Sequence, residues 1–279
     1  MASLSKDTRS ISGVGIGLRS QHINEILATL PNIPWFELLA DNHLAEGGLI
    51  VEQLEAIAEH YPITLHCVGM SLASVEPLDL SYCQRIKALS NRVNAAWVSE
   101  HLCFSSALGV HSHDLLPIPY NQNSLDHCVN RVLQIQDFLG ERILVENVSS
   151  YMTFENSDVS EIDFLVALAE KADCHLLVDV NNIYVNQVNH GLDGEGYIDQ
   201  LPIDRIKEIH LAGYQQQGNY LLDAHNNPVS EPVWKLYQRL IDRKANIPTL
   251  IEWDNDIPPL QTLLNEAEKA NTIMQQGLA

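Results

Sequence analysis

The alternation of short apolar strands with helical segments along almost the whole chain constrains the fold more than any other feature. Strands are predicted at approximately residues 13–18, 34–40, 62–68, 95–101, 142–148, 174–181, 206–212 and 247–253. Eight strands separated by helices over about 250 residues are typical of a (β/α)8 barrel. The alternation never pauses and no glycine-rich phosphate loop opens a helix, which argues against an open doubly wound sheet. We therefore predict an α/β fold in which residues 1–279 form a single TIM-type barrel.

Capping residues predict where several helices begin and end. One helix is predicted from Ser124, which can act as its N-cap, to Leu139, with Gly140 as its stop. Another begins at Ser160, where Asp163 completes a sequence similar to a capping box. Further helices are predicted near 21–30, 46–60, 79–93, 231–244 and 258–276, whereas the H-S-H sequence at 111–113 and the stretch 213–232 are predicted to be loops.

Six of the predicted strands end on or next to a histidine or an acidic residue. These residues are His66, His101, Glu146, Asp179, His210 and Glu252. Side chains at the carboxyl ends of parallel barrel strands point into one shared mouth, so residues distant in sequence converge there. Three imidazoles and three carboxylates in one mouth predict a metal site.

A second pair of candidate ligands lies in the long loop after the seventh strand. Asp223 and His225 are spaced i, i+2, so an extended backbone would point both side chains the same way. The same alternation turns Glu100 to the face opposite His101 and removes it from the ligand set. Residues predicted to support the site or to contact its substrate are Asn147, Asn181, His190, Glu208 and Asp254.

The predicted ligand set contains four histidines and four carboxylates. Four carboxylates gathered without cations would repel one another and raise their own pKa values. Two or three divalent ions would remove that cost, and a set larger than four ligands implies at least two ions with a bridging carboxylate. Nitrogen and oxygen donors without thiolate suit iron, manganese or zinc rather than a structural zinc, and leave the choice among the three open.

Composition excludes several other classes of protein. The formal net charge of −20 repels nucleic-acid phosphates, whereas a metal cation or a basic peptide segment would be attracted. Five cysteines form no C-x-x-C pair and leave an odd number, which argues against a disulfide framework. No apolar run is long enough to cross a membrane, and the polar start MASLSKDTRS lacks the apolar core of a signal peptide, so we expect a cytoplasmic protein.

An ordered set of motifs resembles one known family over nearly the whole chain. The motifs are GIGLR at 15–19, SEHLCF at 99–104, HDLLPIPY at 113–120, ENVSSY at 146–151, DVNNIYVNQVNHG at 179–191, EIHLAGY at 208–214, D-A-H at 223–225, PVWKLY at 232–237 and IEWD at 251–254. They are similar to those of the multinuclear non-haem iron-dependent oxidases, which include the methanobactin-biosynthesis oxidase. One departure is Tyr214, since the family often has histidine there. Tyrosine offers no nitrogen ligand at this position, which argues against full occupancy of a third metal site.

The resemblance implies a TIM-type barrel that holds two or three irons on the eight ligands reached above from strand ends and loop. It implies that Glu146 bridges two irons, and Glu146, Asp179 and His210 are our candidates for catalytic residues. It also implies that iron and dioxygen modify a ribosomally made precursor peptide, with a cysteine as the expected target. A separate peptide-binding protein is the expected partner.

Two other functions are kept as alternatives. A divalent-metal barrel of the sugar-isomerase or endonuclease type also gathers histidine, aspartate and glutamate at strand ends, although the negative charge argues against a nuclease. The predicted strands offer no lysine at a carboxyl end for the proton or hydride movement of an isomerase. A non-enzymatic scaffold that binds metal or peptide predicts a coordinatively closed site without dioxygen consumption.

Overall fold

The computed structural model describes residues 11–107 and 110–278, without the side chains of residues 107, 110, 111 and 113. Its strands are β1 Val14–Gly17, β2 Phe36–Leu39, β3 Ile63–Cys67, β4 Val98–His101, β5 Phe104–Ala107, β6 Val110–Leu116, β7 Leu144–Glu146, β8 His175–Asp179, β9 Ile206–Leu211, β10 Gln215–Gln217, β11 Tyr220–Leu222 and β12 Thr249–Ile251. Its α-helices are α1 Ile23–Thr29, α2 Leu49–His60, α3 Leu80–Val93, α4 Gln122–Leu139, α5 Glu161–Lys171, α6 Val180–His190, α7 Gly194–Gln200, α8 Glu231–Arg243 and α9 Leu260–Gln276. Short 3-10 helices span Ser20–His22 and Ala40–His43.

Eight of the strands close into a parallel barrel in the order β1-β12-β9-β8-β7-β4-β3-β2. The ring closes where β1 pairs with β12, with Ile16 opposite Ile251. The helices between the strands pack their apolar faces against the outside of the barrel, and their buried residues join those of the strands in one core. The predicted (β/α)8 barrel is therefore confirmed. None of the helices in the described ranges combines the length and the apolar character that a membrane crossing requires.

Two stretches predicted to be loops contain hairpins. Strands β5 and β6 form one antiparallel pair and β10 and β11 form another, both outside the barrel. The H-S-H sequence at 111–113 falls on β6, although the side chains of His111 and His113 lie outside the described residues. The stretch 213–232 is thus not structureless, since β10 and β11 account for part of it.

Capping decides two boundaries that the sequence placed differently. Helix α4 begins before Ser124, because Asn121 is its N-cap and accepts a hydrogen bond from the Ser124 N–H. Ser160 caps α5 as predicted and accepts from the Asp163 N–H. Strand β8 ends at Asp179, two residues before the predicted boundary, because the Asp179 side chain caps α6 there. Helices α6 and α7 had not been predicted.

Side chains inside the barrel lie in layers below the mouth. Trp97, which directly precedes β4, points to the same face as Ser99 and His101 of that strand. Trp97 lies at the floor of the barrel, the end opposite the mouth, Ser99 lies above it and His101 lies at the mouth. At the floor, β1 carries Gly15, where an added Cβ would lie 2.5 Å from the Trp35 ring. Glycine is therefore required there by the indole that fills the floor beside it.

Candidate metal centre

His66 and His101, at the ends of β3 and β4, turn one ring nitrogen each towards the same point. Ser99 donates to the Leu65 carbonyl at 3.2 Å, so its hydroxyl oxygen accepts from Nδ1 of His66 at 2.8 Å. Nδ1 of His101 faces the Cys67 carbonyl at 3.1 Å, which can only accept a hydrogen bond. Both Nδ1 atoms therefore carry protons, which leaves the two Nε2 atoms as the ring nitrogens available to a cation. These two Nε2 atoms lie 3.1 Å apart.

Glu146, at the end of β7, completes this first group. Its Oε2 lies 3.2 Å from Nε2 of His66 and 3.3 Å from Nε2 of His101. Oε2 has no hydrogen-bond donor and is fully buried. Three atoms that can ligate a cation thus converge away from water, and a cation between them would stabilise the buried oxygen of Glu146. Burial raises the pKa of Glu146 to about 8, against the opposing effect of His101 and His210.

The protonation of the two imidazoles differs because their surroundings differ. Burial and the neighbouring imidazoles of His101 and His210 hold the pKa of His66 well below its usual value. Burial also acts to lower the pKa of His101, but the carboxylates of Glu146 and Glu100 outweigh it and raise that pKa to about 9. Glu100 lies 3.2 Å from Nδ1 of His101 and accepts the Met70 and His101 N–H groups. It therefore orients His101 from the side opposite Nε2.

Asp179 is held by the same hydrogen bonds that end β8. Its Oδ1 accepts from the Asn182 N–H at 2.6 Å, and its buried Oδ2 has no partner. The Asn147 side chain bonds to both the N–H and the carbonyl of Asp179, each at 2.9 Å. Asn147 therefore clamps the backbone of this carboxylate. Burial raises the pKa of Asp179 to about 7 against the effect of His225.

His210, on β9, lies between two sets of carboxylates. Its Nδ1 lies 3.0 Å from Oε2 of Glu252 and 3.8 Å from Oε1 of Glu146. On the floor side, its Nε2 lies 3.2 Å from Glu37 and 3.7 Å from Glu208. Burial acts to lower the pKa of His210, but Glu37 and Glu252 outweigh it and hold that pKa well above its usual value.

Glu37 is the buried residue of the site that the sequence reasoning missed. It lies on β2 among the apolar residues Phe36 and Leu38, and it is only 3% exposed. Burial raises its pKa to about 8, although His210 acts to lower it. An acidic residue between apolar neighbours on a strand is the sequence feature that could have identified Glu37 as a residue of the site. Glu37 lies lower in the barrel than the strand ends, where the sequence places the candidate ligands.

Asp223 and His225 reach the same cavity from the segment that follows β11. Nε2 of His225 lies 2.6 Å from Oδ1 of Asp223 and 4.0 Å from the unpaired Oδ2 of Asp179. His225 has a φ of 45°, so the backbone is not the extended one that the i, i+2 spacing assumed. Burial acts against ionisation of both groups, but their mutual attraction lowers the pKa of Asp223 and raises that of His225.

The loop pair is anchored by several side chains. Asn181 donates to Oδ1 of Asp223 at 2.8 Å and Ser149 to Oδ2 at 3.0 Å, while the Tyr151 hydroxyl accepts from the Asp223 N–H at 2.8 Å. On the other side, Asp254 accepts from Nδ1 of His225 at 3.1 Å and pairs with Arg19. Asn181 contacts Asp223 from the first turn of α6, and not from a strand face shared with Asp179.

Overlapping groups connect the eight predicted ligands. Within each group, one ligand atom per residue lies within 4.8 Å of the others: His66, His101 and Glu146; His66, His210 and Glu252; Glu146, Asp179 and His210; and Asp179, His225 and Glu252. Asp223 joins through its contact with His225. The cavity above them has a volume of about 190 Å³.

Two residues singled out in the sequence lie elsewhere. His190 ends α6, and its Nε2 lies 2.8 Å from the Ser150 carbonyl, apart from the clustered ligands. Tyr214 stacks on Tyr184, with ring centroids 5.5 Å apart, and does not line the cavity. Neither side chain belongs to the ligand groups among the described residues.

Comparisons with solved structures agree with the barrel. The chain is similar to a D-allulose 3-epimerase from Methylomonas sp., with a TM-score of 0.60 and 13% identity over 97% of this chain and 99% of that one. It is also similar to endonuclease IV from Thermus thermophilus, with a TM-score of 0.56 and 14% identity over 95% of this chain and 98% of that one. At such low identity, these likenesses show the fold alone.

Comparisons of sequence are more specific. A UPF0276 protein of Acaryochloris marina is 50% identical over 267 residues, which cover 96% of each chain. A UPF0276 protein of Anaeromyxobacter sp. is 43% identical over 272 residues, covering 98% of this chain and 96% of that one. A family model described as RiPP precursor modification enzyme MbnB/TglH/ChrH matches residues 13–275. The resemblance drawn from the motifs is thereby confirmed, and the chain belongs to this family of RiPP precursor modification enzymes.

Proposed function

We propose that this protein is a multinuclear iron-dependent oxidase that uses dioxygen to modify a ribosomally made precursor peptide, with cysteine as the target residue. The single observation that supports the metal is the convergence of three buried atoms that can ligate a cation, Nε2 of His66, Nε2 of His101 and Oε2 of Glu146. Hydrogen bonds behind each imidazole fix its free nitrogen towards the carboxylate. Metal-binding histidines are oriented in this way.

The donor set supports iron, and more than one ion. The eight candidate ligands supply only nitrogen and oxygen, and the five cysteines are all buried and absent from the ligand groups of the described residues. Glu146, Asp179 and Glu252 each belong to two groups, which suits carboxylates that bridge neighbouring ions. Two or three ions are therefore proposed, with His66, His101, Glu146, Asp179, His210, Asp223, His225 and Glu252 as ligands. Manganese and zinc accept the same donors.

Iron bound here would supply the one-electron chemistry with dioxygen that protein side chains lack. The residues themselves fix geometry and charge. Glu146 offers one oxygen to the His66 and His101 side and the other to His210. Asn147 and Asn182 hold Asp179 so that its Oδ2 stays free. Asp254, neutralised by Arg19, holds Nδ1 of His225 and leaves Nε2 facing the cavity.

The family and the charge of the chain support the proposed substrate and partner. The family modifies RiPP precursors, and we propose a cysteine-containing peptide that a separate binding protein delivers to the cavity mouth. A chain of net charge −20 favours basic segments in such a peptide or partner. We place this reaction in the cytoplasm, where thiols stay reduced.

The test combines metal content with turnover. Protein loaded anaerobically with ferrous ions should bind more than one iron per chain and consume dioxygen with a cysteine-containing peptide encoded beside its gene. Mass spectrometry should detect a modified peptide. Binding of a single zinc without iron uptake would end the proposal, and a closed site that binds iron without consuming dioxygen would favour the scaffold alternative.

A matched pair of variants removes the ambiguity of a misfolded protein. Glu146→Gln changes a proposed ligand, whereas Glu161→Gln changes a partly buried glutamate that bonds to Tyr197 and Asn186. Burial raises the pKa of both glutamates. Loss of iron and of dioxygen consumption in the first variant only would support the proposal, whereas equal loss in both would show a general effect on folding.

A further inference from the structure

Trp97 connects the floor of the barrel to the candidate metal centre through two contacts. Its indole N–H donates to Oε2 of Glu208 at 2.6 Å. The other oxygen of Glu208 lies 3.7 Å from Nε2 of His210, whose Nδ1 faces Glu146 and Glu252. The contacts cross the barrel interior, since Trp97 precedes β4 and Glu208 lies on β9.

The carboxylate of Glu208 favours a positive charge on the indole to which it is hydrogen-bonded. Glu208 is fully buried, and among the described residues it pairs with no lysine or arginine, since its ion-pair partner is His210. Opposite charges attract strongly where water is excluded, so a carboxylate hydrogen-bonded to an indole lowers the free energy of the oxidised indole.

We propose that Trp97 is a redox-active residue that returns one electron to the metal centre when dioxygen has oxidised the centre and no peptide is bound. The proposal rests on the proposed oxidase function. In the step, Trp97 loses one electron and becomes a cation radical that keeps its N–H proton in the bond to Glu208. An oxidised metal ion held by the candidate ligands would gain that electron. No covalent bond forms or breaks.

The indole is also accessible from the face opposite the peptide mouth. Trp97 is partly exposed and lines a cavity of about 310 Å³ together with Arg142, Lys207 and His175. Lys207 and Arg142, of which Arg142 also pairs with Asp173, attract an anionic one-electron reductant such as ascorbate to this cavity. That reductant would return the electron to Trp97. The oxidised centre would thus be reduced without oxidation of the ligand side chains or of the residues at the mouth of the barrel.

The alternative role for Trp97 is purely structural, as a bulky side chain that fills the floor of the barrel. A packing role requires an aromatic ring of suitable size, but no radical. Trp97→Phe therefore separates the two, because phenylalanine fills much of the same space and is far harder to oxidise. Trp35→Phe is a matched floor control, since the Trp35 indole is fully buried and bonds weakly to the Gly13 carbonyl at 3.4 Å. Trp253→Phe controls for proximity, since Trp253 follows Glu252 directly.

The experiment mixes ferrous-loaded, full-length protein with dioxygen in the absence of peptide and freezes samples for electron paramagnetic resonance. We expect an organic radical signal that changes shape in protein made with indole-deuterated tryptophan and decays faster with ascorbate. The signal should be lost in Trp97→Phe and retained in Trp35→Phe and Trp253→Phe. Peptide mapping after repeated oxygen exposure should find oxidation products on Trp97 above those on the other tryptophans.

Glu208→Gln is the second variant and keeps the indole with a hydrogen-bond acceptor of similar shape. Removal of the negative charge should reduce the radical signal even if Trp97→Phe fails to fold. A signal that persists in Trp97→Phe, or no tryptophan radical in wild-type protein that consumes dioxygen, would overturn the role of Trp97 and leave the oxidase proposal intact. Absence of dioxygen consumption would overturn both.

Discussion

Removal of metal should reverse the pH dependence of stability. In the apoprotein, burial raises the pKa of Glu37 and Glu146 to about 8 and that of Asp179 to about 7. A group whose pKa is raised by folding contributes stability at low pH that is lost as the pH rises through its folded value. These carboxylates are therefore protonated in the folded apoprotein and ionised in the unfolded chain between about pH 5 and pH 7 or 8.

The histidines and carboxylates share protons, so we take one net proton as the minimum effect. One proton released on unfolding lowers the free energy of unfolding by about 1.4 kcal/mol per pH unit. For a chain of this length the entropy of unfolding is roughly 0.6 kcal/mol per kelvin, so the melting temperature should fall by about 2 °C per pH unit. Between pH 6 and pH 8 the apoprotein should lose about 3 kcal/mol and about 5 °C.

Other groups of the centre act at other pH values. His66 and Asp254 have lowered pKa values, and the stability that they contribute is lost only as the pH falls. Metal-loaded protein should show a flat or rising melting temperature from pH 6 to pH 8, because ions displace these protons and bind more tightly as the pH rises. Burial also raises the pKa of Glu161 to about 7, but Glu161 lies outside the ligand groups of the described residues. We expect its contribution to be the same in both forms, so that the difference between them reports on the centre.

The assay is thermal unfolding by circular dichroism at constant ionic strength, with chelator-treated and iron-loaded samples in parallel. Unfolding of the apoprotein with denaturant at pH 7 in weak buffer should also release at least one proton per chain. The Glu146→Gln apoprotein should be more stable than the wild-type apoprotein at pH 8, because glutamine cannot ionise there. An apoprotein whose stability is constant or rises with pH would refute the convergence of these carboxylates.

Further predictions concern single residues. Glu146→Gln should lose more iron than His225→Ala by metal analysis, since Glu146 joins two ligand groups; equal, small losses would exclude a bridging role. Asp223→Ala and His225→Ala should keep a folded barrel by circular dichroism but consume less dioxygen with peptide, and wild-type turnover in both would exclude these two residues from the working site. Glu37→Gln should retain most of its iron but change its Mössbauer parameters, because it removes the carboxylate nearest Nε2 of His210; an unchanged spectrum would contradict that contact. Metal removal should lower the wild-type melting temperature by several degrees at pH 7.5, as binding to the folded state alone requires.

The sequence determined the barrel and the placing of most candidate ligands at its mouth. Strand and helix periodicity is a local property, and a parallel barrel directs its strand ends to one mouth whatever the details of packing. His66, His101 and Glu146 could therefore be brought together in advance. The exclusion of Glu100 followed from the alternation of side chains along β4, which is equally local.

Tertiary structure decided what lies behind and beneath those residues. The role of Glu37 depends on a contact with His210 on another strand, and Trp97 meets Glu208 only across the closed barrel. The free nitrogen of His66 depends on Ser99, a neighbour in space from the next strand. These contacts are set by strand register and by the layer in which each side chain lies. Neither quantity is encoded in the spacing of residues along the chain, since both arise only when the strands pair and the barrel closes.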